Sequence, residues 1–159
     1  MNFKNEIFEY LKGVRFSNSL RVEFDDTKAA SYNRMEMLES LAAGKSVLHV
    51  GFADHIPLIA TKIESGYWLH QRLLNKASFC IGIDIDKKAV DHVKEQFGIK
   101  DVYCLDIIKE DVPPYLCREW DLMIIGEVLE HIDNPVLFLQ NIHKKYKSHV
   151  KQLILTVPN

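Results

Sequence analysis

Asp84, Asp106 and Glu127 each follow an apolar run: FCIGI (79–83), DVYCL (101–105) and DLMIIG (121–126). His131 stands four residues beyond the last of them. An ionised carboxylate accepts hydrogen bonds through both oxygens, so Asp84, at the tip of a strand, can clamp a vicinal diol. Asp106, ending the next run, can accept an exocyclic amino group; as a turn residue it would cap nearby backbone N–H groups instead. An imidazole has a near-neutral reference pKa and can take a proton from a hydroxyl nucleophile. His131 can equally be a structural histidine after the helical turn EVLE. A fourth position belongs with these. The run SVLHV (46–50) stops at Gly51, and glycine can take φ > 0 and let backbone approach a ligand closely.

The elements that must position these residues follow from periodicity. Short apolar runs bounded by turn signals suit strands buried on both faces, as in a parallel sheet. Five are present: Ser46–Val50, Phe79–Ile83, Asp101–Leu105, Asp121–Ile125 and Gln152–Val157. Helical stripes lie between them at Ile56–Ser65, at YWLHQRLLNK (67–76), at Lys87–Phe97 and at Asn134–Tyr146. Asp86 is read as the N-cap of the third of these helices, and Pro135 as the first residue of the last. The alternation predicts an α/β fold: a doubly wound, Rossmann-like sheet of about five parallel strands flanked by helices in three αβα layers. Ligands of such sheets bind outside the carboxyl ends of the strands, where Gly51, Asp84, Asp106 and Gly126–Glu127 are all predicted to lie.

Residues 1–44 are predicted to form an N-terminal helical cap of the same domain, and residues 45–159 the sheet. Phe3, Ile7, Phe8 and Leu11 make one helical stripe that ends at Gly13. A second helix, capped by Asp25 or Asp26, is expected to reach about Ala43, with Met35, Leu38, Leu41 and Ala42 on one face and Gly44 as its stop.

The 159 residues are 47% apolar and 26% charged, enough for one domain with a real core. A net charge of -2 gives no overall basic field to attract DNA or an anionic membrane. No apolar run approaches the roughly 18 residues that span a bilayer, and MNFKNEIFEYLKG lacks a signal-peptide apolar region. Cys80, Cys104 and Cys117 form no C-x-x-C pair. Cys80 and Cys104 fall in predicted strands, where cysteine behaves as a small hydrophobe. The composition reads as a reduced, cytoplasmic protein.

From Lys45 to Asn159 the segments VLHVGFADH, CIGIDIDKKAV, YCLDI, WDLMIIGEVLEHIDNP and LILTVPN occur in the order of class I S-adenosylmethionine-dependent methyltransferases. The chain resembles that family, its small-molecule group above all, and EVLEHIDNP is the most specific part of the match. The resemblance implies S-adenosyl-L-methionine as cofactor and S-adenosyl-L-homocysteine as product. It implies direct in-line methyl transfer, at oxygen, to a small-molecule acceptor. The implied cofactor-binding residues are Gly51, Phe52, Ala53, His55, Asp84 (on the ribose), Ile85, Asp106 and Ile107 (beside adenine), Glu127 and Val128. His131 and Glu127 are the implied catalytic residues. Similar O-methyltransferases acting on quinone precursors or RNA 3′ ends hold a divalent metal with such an E-x-x-E-H set, which would use Glu127, Glu130 and His131. The metal is not favoured here.

The chain also departs from the family pattern. His49 replaces the usual acid of the first strand, and Ala53 and His55 replace the second and third glycines. Asp84 comes 33 positions after Gly51, against about 20 in the dinucleotide fingerprint. The surplus holds Trp68 and His70, which can face ligand or pack in the core. The family's sheet usually continues past the fifth strand, so 152–157 is expected to be an open edge and a route to a homodimer. A non-catalytic member of the fold that has lost its cofactor is the alternative. An NAD-dependent oxidoreductase is a weaker one, because the fingerprint glycines are missing.

Overall fold

The computed structural model describes residues 9–10, 12–16 and 33–158, and the chain divides into one unit at 1–31 and another at 32–159. In the first unit, Glu9 and Tyr10 are helical and Gly13 takes φ 71°, in keeping with the expected stop. The Arg15 guanidinium pairs with Glu9 at 2.7 Å. Asp25, Asp26 and most of the first predicted helix lie outside the described residues.

The second unit opens with α1 (Arg34–Ala42). Its N-cap is Asn33, whose side chain accepts from the Met35 amide at 2.9 Å. Asn33 is extended (φ -62°, ψ 127°), so the helix begins here instead of running through from Asp25. There follow β1 (Ser46–Val50), α2 (Ile56–Glu64), α3 (Leu69–Lys76), β2 (Phe79–Asp84), α4 (Lys87–Phe97) and β3 (Val102–Cys104). A 3-10 turn at Pro114–Leu116, β4 (Trp120–Gly126), a second 3-10 turn at Leu129–His131, α5 (Pro135–Tyr146) and β5 (Val150–Thr156) complete the order. Asp86 caps α4 as expected, accepting from Lys88 and Ala89, and Gly98 closes it at φ 67°. Asn134 caps α5 in the same way.

All strand pairs are parallel and the sheet order is β3-β2-β1-β4-β5. Alternate residues of each strand serve opposite faces. Leu48, Val50, Ile81, Ile83, Met123 and Ile125 pack under α5 through Phe138, Ile142 and Tyr146. Val47, Cys80, Leu122 and Ile124 meet α1 and α3 through Leu38, Ala42, Leu69 and Leu73. Helices therefore cover both faces, as the periodicity requires. Glu39 and Arg72 pair at 2.7 Å and tie α1 to α3. At the amino end of the sheet, the Asp121 carboxylate accepts from the amide and hydroxyl of Ser46, joining β4 to β1. Cys80 is buried, but Cys104 is exposed because β3 is a three-residue edge strand; the expectation of a core cysteine fails there.

Candidate functional site

The carboxyl ends of the strands open into a cleft of about 1180 Å³, and every residue expected to bind cofactor or act in catalysis lines it. Gly51, Phe52, Ala53 and His55 come from the turn after β1; Asp84 and Ile85 follow β2. Asp106 and Ile107 follow β3, while Glu127, Val128 and His131 follow β4.

Gly51 takes φ 69°, and a Cβ there would lie 2.2 Å from Val128 Cγ2. Backbone and neighbour both demand glycine at this point. The amides of the turn do not point freely at a ligand. Gly51 and Phe52 donate to the Ile83 carbonyl at 2.8 and 3.4 Å, and Ala53 donates to Asp84 Oδ2 at 3.1 Å. The Phe52 ring turns inward and is 2% exposed, packed with Ile59, Trp68, Val90, Val93 and Val102. His55 is exposed at the N-cap position of α2 and its side chain makes no capping bond.

Asp84 stands at the tip of β2 with one oxygen on the Ala53 amide and the other on the Asp86 amide at 2.9 Å. Burial pushes its carboxyl above the usual range, opposed by those amide bonds. Each oxygen keeps a further lone pair, so the carboxylate can hold the turn and still accept two hydroxyls. Ile85, beside it, leaves 72% of its surface exposed at the cleft.

Asp106 does what a turn residue does. Its Oδ1 accepts from Ile108 and Lys109 at 3.1 Å each, and Lys109 Nζ lies 3.2 Å from Oδ2. Burial raises its carboxyl, but the bonds from Lys109 and Ile108 together outweigh this and hold it below the ordinary value. Ile107 is buried beneath the loop.

Glu127 carries the positive φ, 55°, that redirects the chain out of β4. Its Oε1 lies 2.8 Å from Arg34 Nη1 and accepts from Thr156 Oγ1 at 2.9 Å; the same arginine nitrogen donates to Thr156 Oγ1 at 3.2 Å. Neither Arg34 nor Thr156 was picked out by spacing, because they lie 93 and 29 residues from Glu127. The segment after it is a 3-10 turn, not the α-helical turn expected for EVLE. Glu130 and His131 are exposed on that turn. Among the described residues, no three His, Cys, Asp or Glu side chains are placed to hold a metal ion.

Behind the Gly51 turn, His49 and His70 are buried, with Nδ1 atoms 3.2 Å apart and stacked rings. At that spacing one ring must donate and the other accept. Burial pushes His49 down to about 3, helped by the Arg34 charge, and drives His70 well below the ordinary value, so both are neutral. The position where the family usually has an acid thus holds an uncharged imidazole. Trp68, 3% exposed, packs against the His70 ring while also bordering the cleft. Gly82 makes room for the rings: a Cβ there would meet Phe52 Cγ at 2.7 Å and His70 Cε1 at 2.8 Å. An isolated glycine inside a strand is the sequence signal for such an approach, and it went unread.

A five-stranded parallel sheet with a cleft at its carboxyl ends is a Rossmann-like architecture. The model of the methyltransferase domain family matches residues 65–152, more than half of the chain. This chain belongs to that family. No curated protein sequence matches it. Among solved structures, it is similar to an S-adenosylmethionine-dependent methyltransferase from Clostridium acetobutylicum, with TM-score 0.53, 16% identity, and coverage of 95% of this chain and 57% of that one. A TehB-like methyltransferase from Corynebacterium glutamicum gives 0.50 and 16%, covering 89% and 68%. A methyltransferase from Mesorhizobium loti gives 0.51 and 12%, covering 82% and 55%. The chain spans about half the length of the first solved structures it matches.

Proposed function

We propose that the cleft binds S-adenosylmethionine and that the domain passes its methyl group to an oxygen of a small-molecule acceptor. The observation that carries this is Asp84: a half-buried carboxylate at the tip of the second strand, with a lone pair left on each oxygen for a ribose diol. Ile85 and Ile108 offer apolar surface for the base. The Arg34–Glu127 pair suits the zwitterionic end of an amino acid, arginine for its carboxylate and glutamate for its ammonium. When bound, the cofactor supplies an electrophilic methyl on a sulfonium. His131 would be the group that accepts the proton of an acceptor hydroxyl. The rest of the cleft aligns the two partners, where most of the rate advantage of such a transfer originates.

A small, weakly charged acceptor is favoured over a polyanion. Arg34, Lys62 and Lys109, the cations that line the cleft, each pair with an acid: Glu127, Asp54 and Asp106. A cleft of about 1180 Å³ exceeds the usual 300–1,000 Å³ of a single-ligand site, which leaves room for an acceptor beside the cofactor. No helix among the described residues is long and apolar enough to cross a membrane. The homodimer expected through the fifth strand belongs to the same proposal, since Leu153, Leu155 and Val157 are 40, 39 and 53% exposed along that edge.

A second reading, a fold without the chemistry, is favoured by the turn amides that are already bonded within the protein. Thermal protection by S-adenosylhomocysteine but not by NAD, followed by transfer of labelled methyl to hydroxylated small molecules, supports catalysis. Protection without transfer to any acceptor supports a binding role. No protection by either ligand contradicts the first reading and supports the second.

A further inference from the structure

Lys145 sits in the last turn of α5 beside His143 and Lys144, where basic side chains ordinarily form a solvated helix end. The structure places it otherwise. Its Nζ is half-buried and donates to three backbone carbonyls of one loop: Ile107 at 3.4 Å, Ile108 at 2.6 Å and Glu110 at 2.5 Å. The amides of that loop are turned the other way. Ile108 and Lys109 donate to Asp106 Oδ1, and Asp106 donates to Glu110 Oε1 at 2.8 Å. The loop is thus held on both sides, through its N–H groups by its own acids and through its C=O groups by an ammonium from a different element.

Three carbonyl dipoles aimed at one point repel one another unless a cation stands between them. The ammonium suits this because it is compact and carries three donors, and hydrogen bonds to a charged donor are about twice as strong as neutral ones. Both partners of this contact form walls of the cleft. Asp106, Ile107 and Ile108 line it from the loop, while Leu137, Phe138 and Asn141 line it from α5. Asn141 is four residues before Lys145, one turn away on the same helical face.

We propose that Lys145 is a positioning residue for the base-binding end of the cleft, its ammonium fixing the separation of the two walls between which adenine lies. The inference rests on the reading of the cleft as a site for S-adenosylmethionine. Lys145 touches neither cofactor nor acceptor; it acts through the loop. Its removal therefore weakens recognition of the base without touching the ribose clamp at Asp84 or the proton acceptor at His131.

The test compares two ligands by calorimetric titration: S-adenosylhomocysteine and S-ribosylhomocysteine, which lacks the base. In Lys145→Met, affinity for S-adenosylhomocysteine falls tenfold or more, while affinity for the base-free ligand stays within twofold of wild type. Lys145→Gln, which keeps two donors, recovers part of the loss and serves as the folded comparison if the methionine variant is unstable. Equal loss for both ligands makes Lys145 a general structural contact and overturns the proposal. Unchanged affinity for S-adenosylhomocysteine overturns it as well. Failure of the wild type to bind S-adenosylhomocysteine refutes the cleft assignment itself, and this proposal falls with it.

Discussion

Lowering the pH from 6.5 to 5.5 should weaken the fold chiefly through His49 and His70. Both are buried with Nδ1 atoms 3.2 Å apart, and both have their basicity lowered, His49 to about 3. In the unfolded chain each takes up a proton near pH 6.5. Over this interval the unfolded state binds more protons than the folded state, so stability falls with pH. The contribution is fully present above pH 6.5 and is lost progressively toward the folded value. Each histidine accounts for up to about 1.4 kcal/mol per pH unit, and the pair for up to about 2.7 kcal/mol. Against a typical total of about 5–15 kcal/mol, one pH unit removes a visible fraction. The raised carboxyl of Asp84 acts in the opposite direction, but only at lower pH, where carboxylates titrate. Urea unfolding at pH 7.5, 6.5 and 5.5, followed by circular dichroism, measures the slope. Wild type should lose stability below pH 6.5, and His49→Leu/His70→Leu should lose much less. A wild-type slope that is flat over this window, or unchanged in the double variant, would refute the assignment of a neutral buried pair.

Two further substitutions separate packing from chemistry. Gly82→Ala pushes a methyl against the rings of Phe52 and His70, at 2.7 and 2.8 Å, and overpacking of this kind costs about 1–3 kcal/mol. A lower urea midpoint with an unchanged m-value is the expected result, and a neutral substitution would mean the two rings can move aside. His131→Ala should lower kcat about 100-fold or more with the KM for S-adenosylmethionine little changed, because a positioned base typically contributes ~10²–10⁴-fold. An unchanged kcat would assign the exposed imidazole to the turn alone.

The fold was legible because its signals are local. Buried parallel strands appear as short apolar runs, and Asp86, Gly98, Asn134 and Pro135 mark the ends of α4 and the start of α5 within a residue or two. The eleven expected site residues line one cleft for the same reason: each follows a strand, and parallel strands send their carboxyl ends to one edge. Contacts between distant segments were not legible. Arg34 reaches Glu127 and Thr156 across the chain, and Lys145 reaches back to the 107–110 loop. No periodicity encodes either contact. The inward turn of Phe52 was missed because a motif assigns a position without assigning the side chain a direction. Its cause is the space left by Gly82, which lies within the apolar run FCIGI. Asn33 is the reverse case, a local cap overlooked because Asp25 and Asp26 offered an earlier one.

The most direct measurement is calorimetric titration of the 159-residue protein with S-adenosylhomocysteine, repeated with Asp84→Ala and with Asp84→Asn. Hydrogen bonds to a charged group contribute about 1.5–3 kcal/mol, so losing the carboxylate should weaken binding at least tenfold. Micromolar binding by wild type, lost in the alanine variant and reduced in the asparagine variant, is the predicted result. Absence of binding by wild type, or equal affinity in all three proteins, would contradict the assignment of the cleft as the cofactor site.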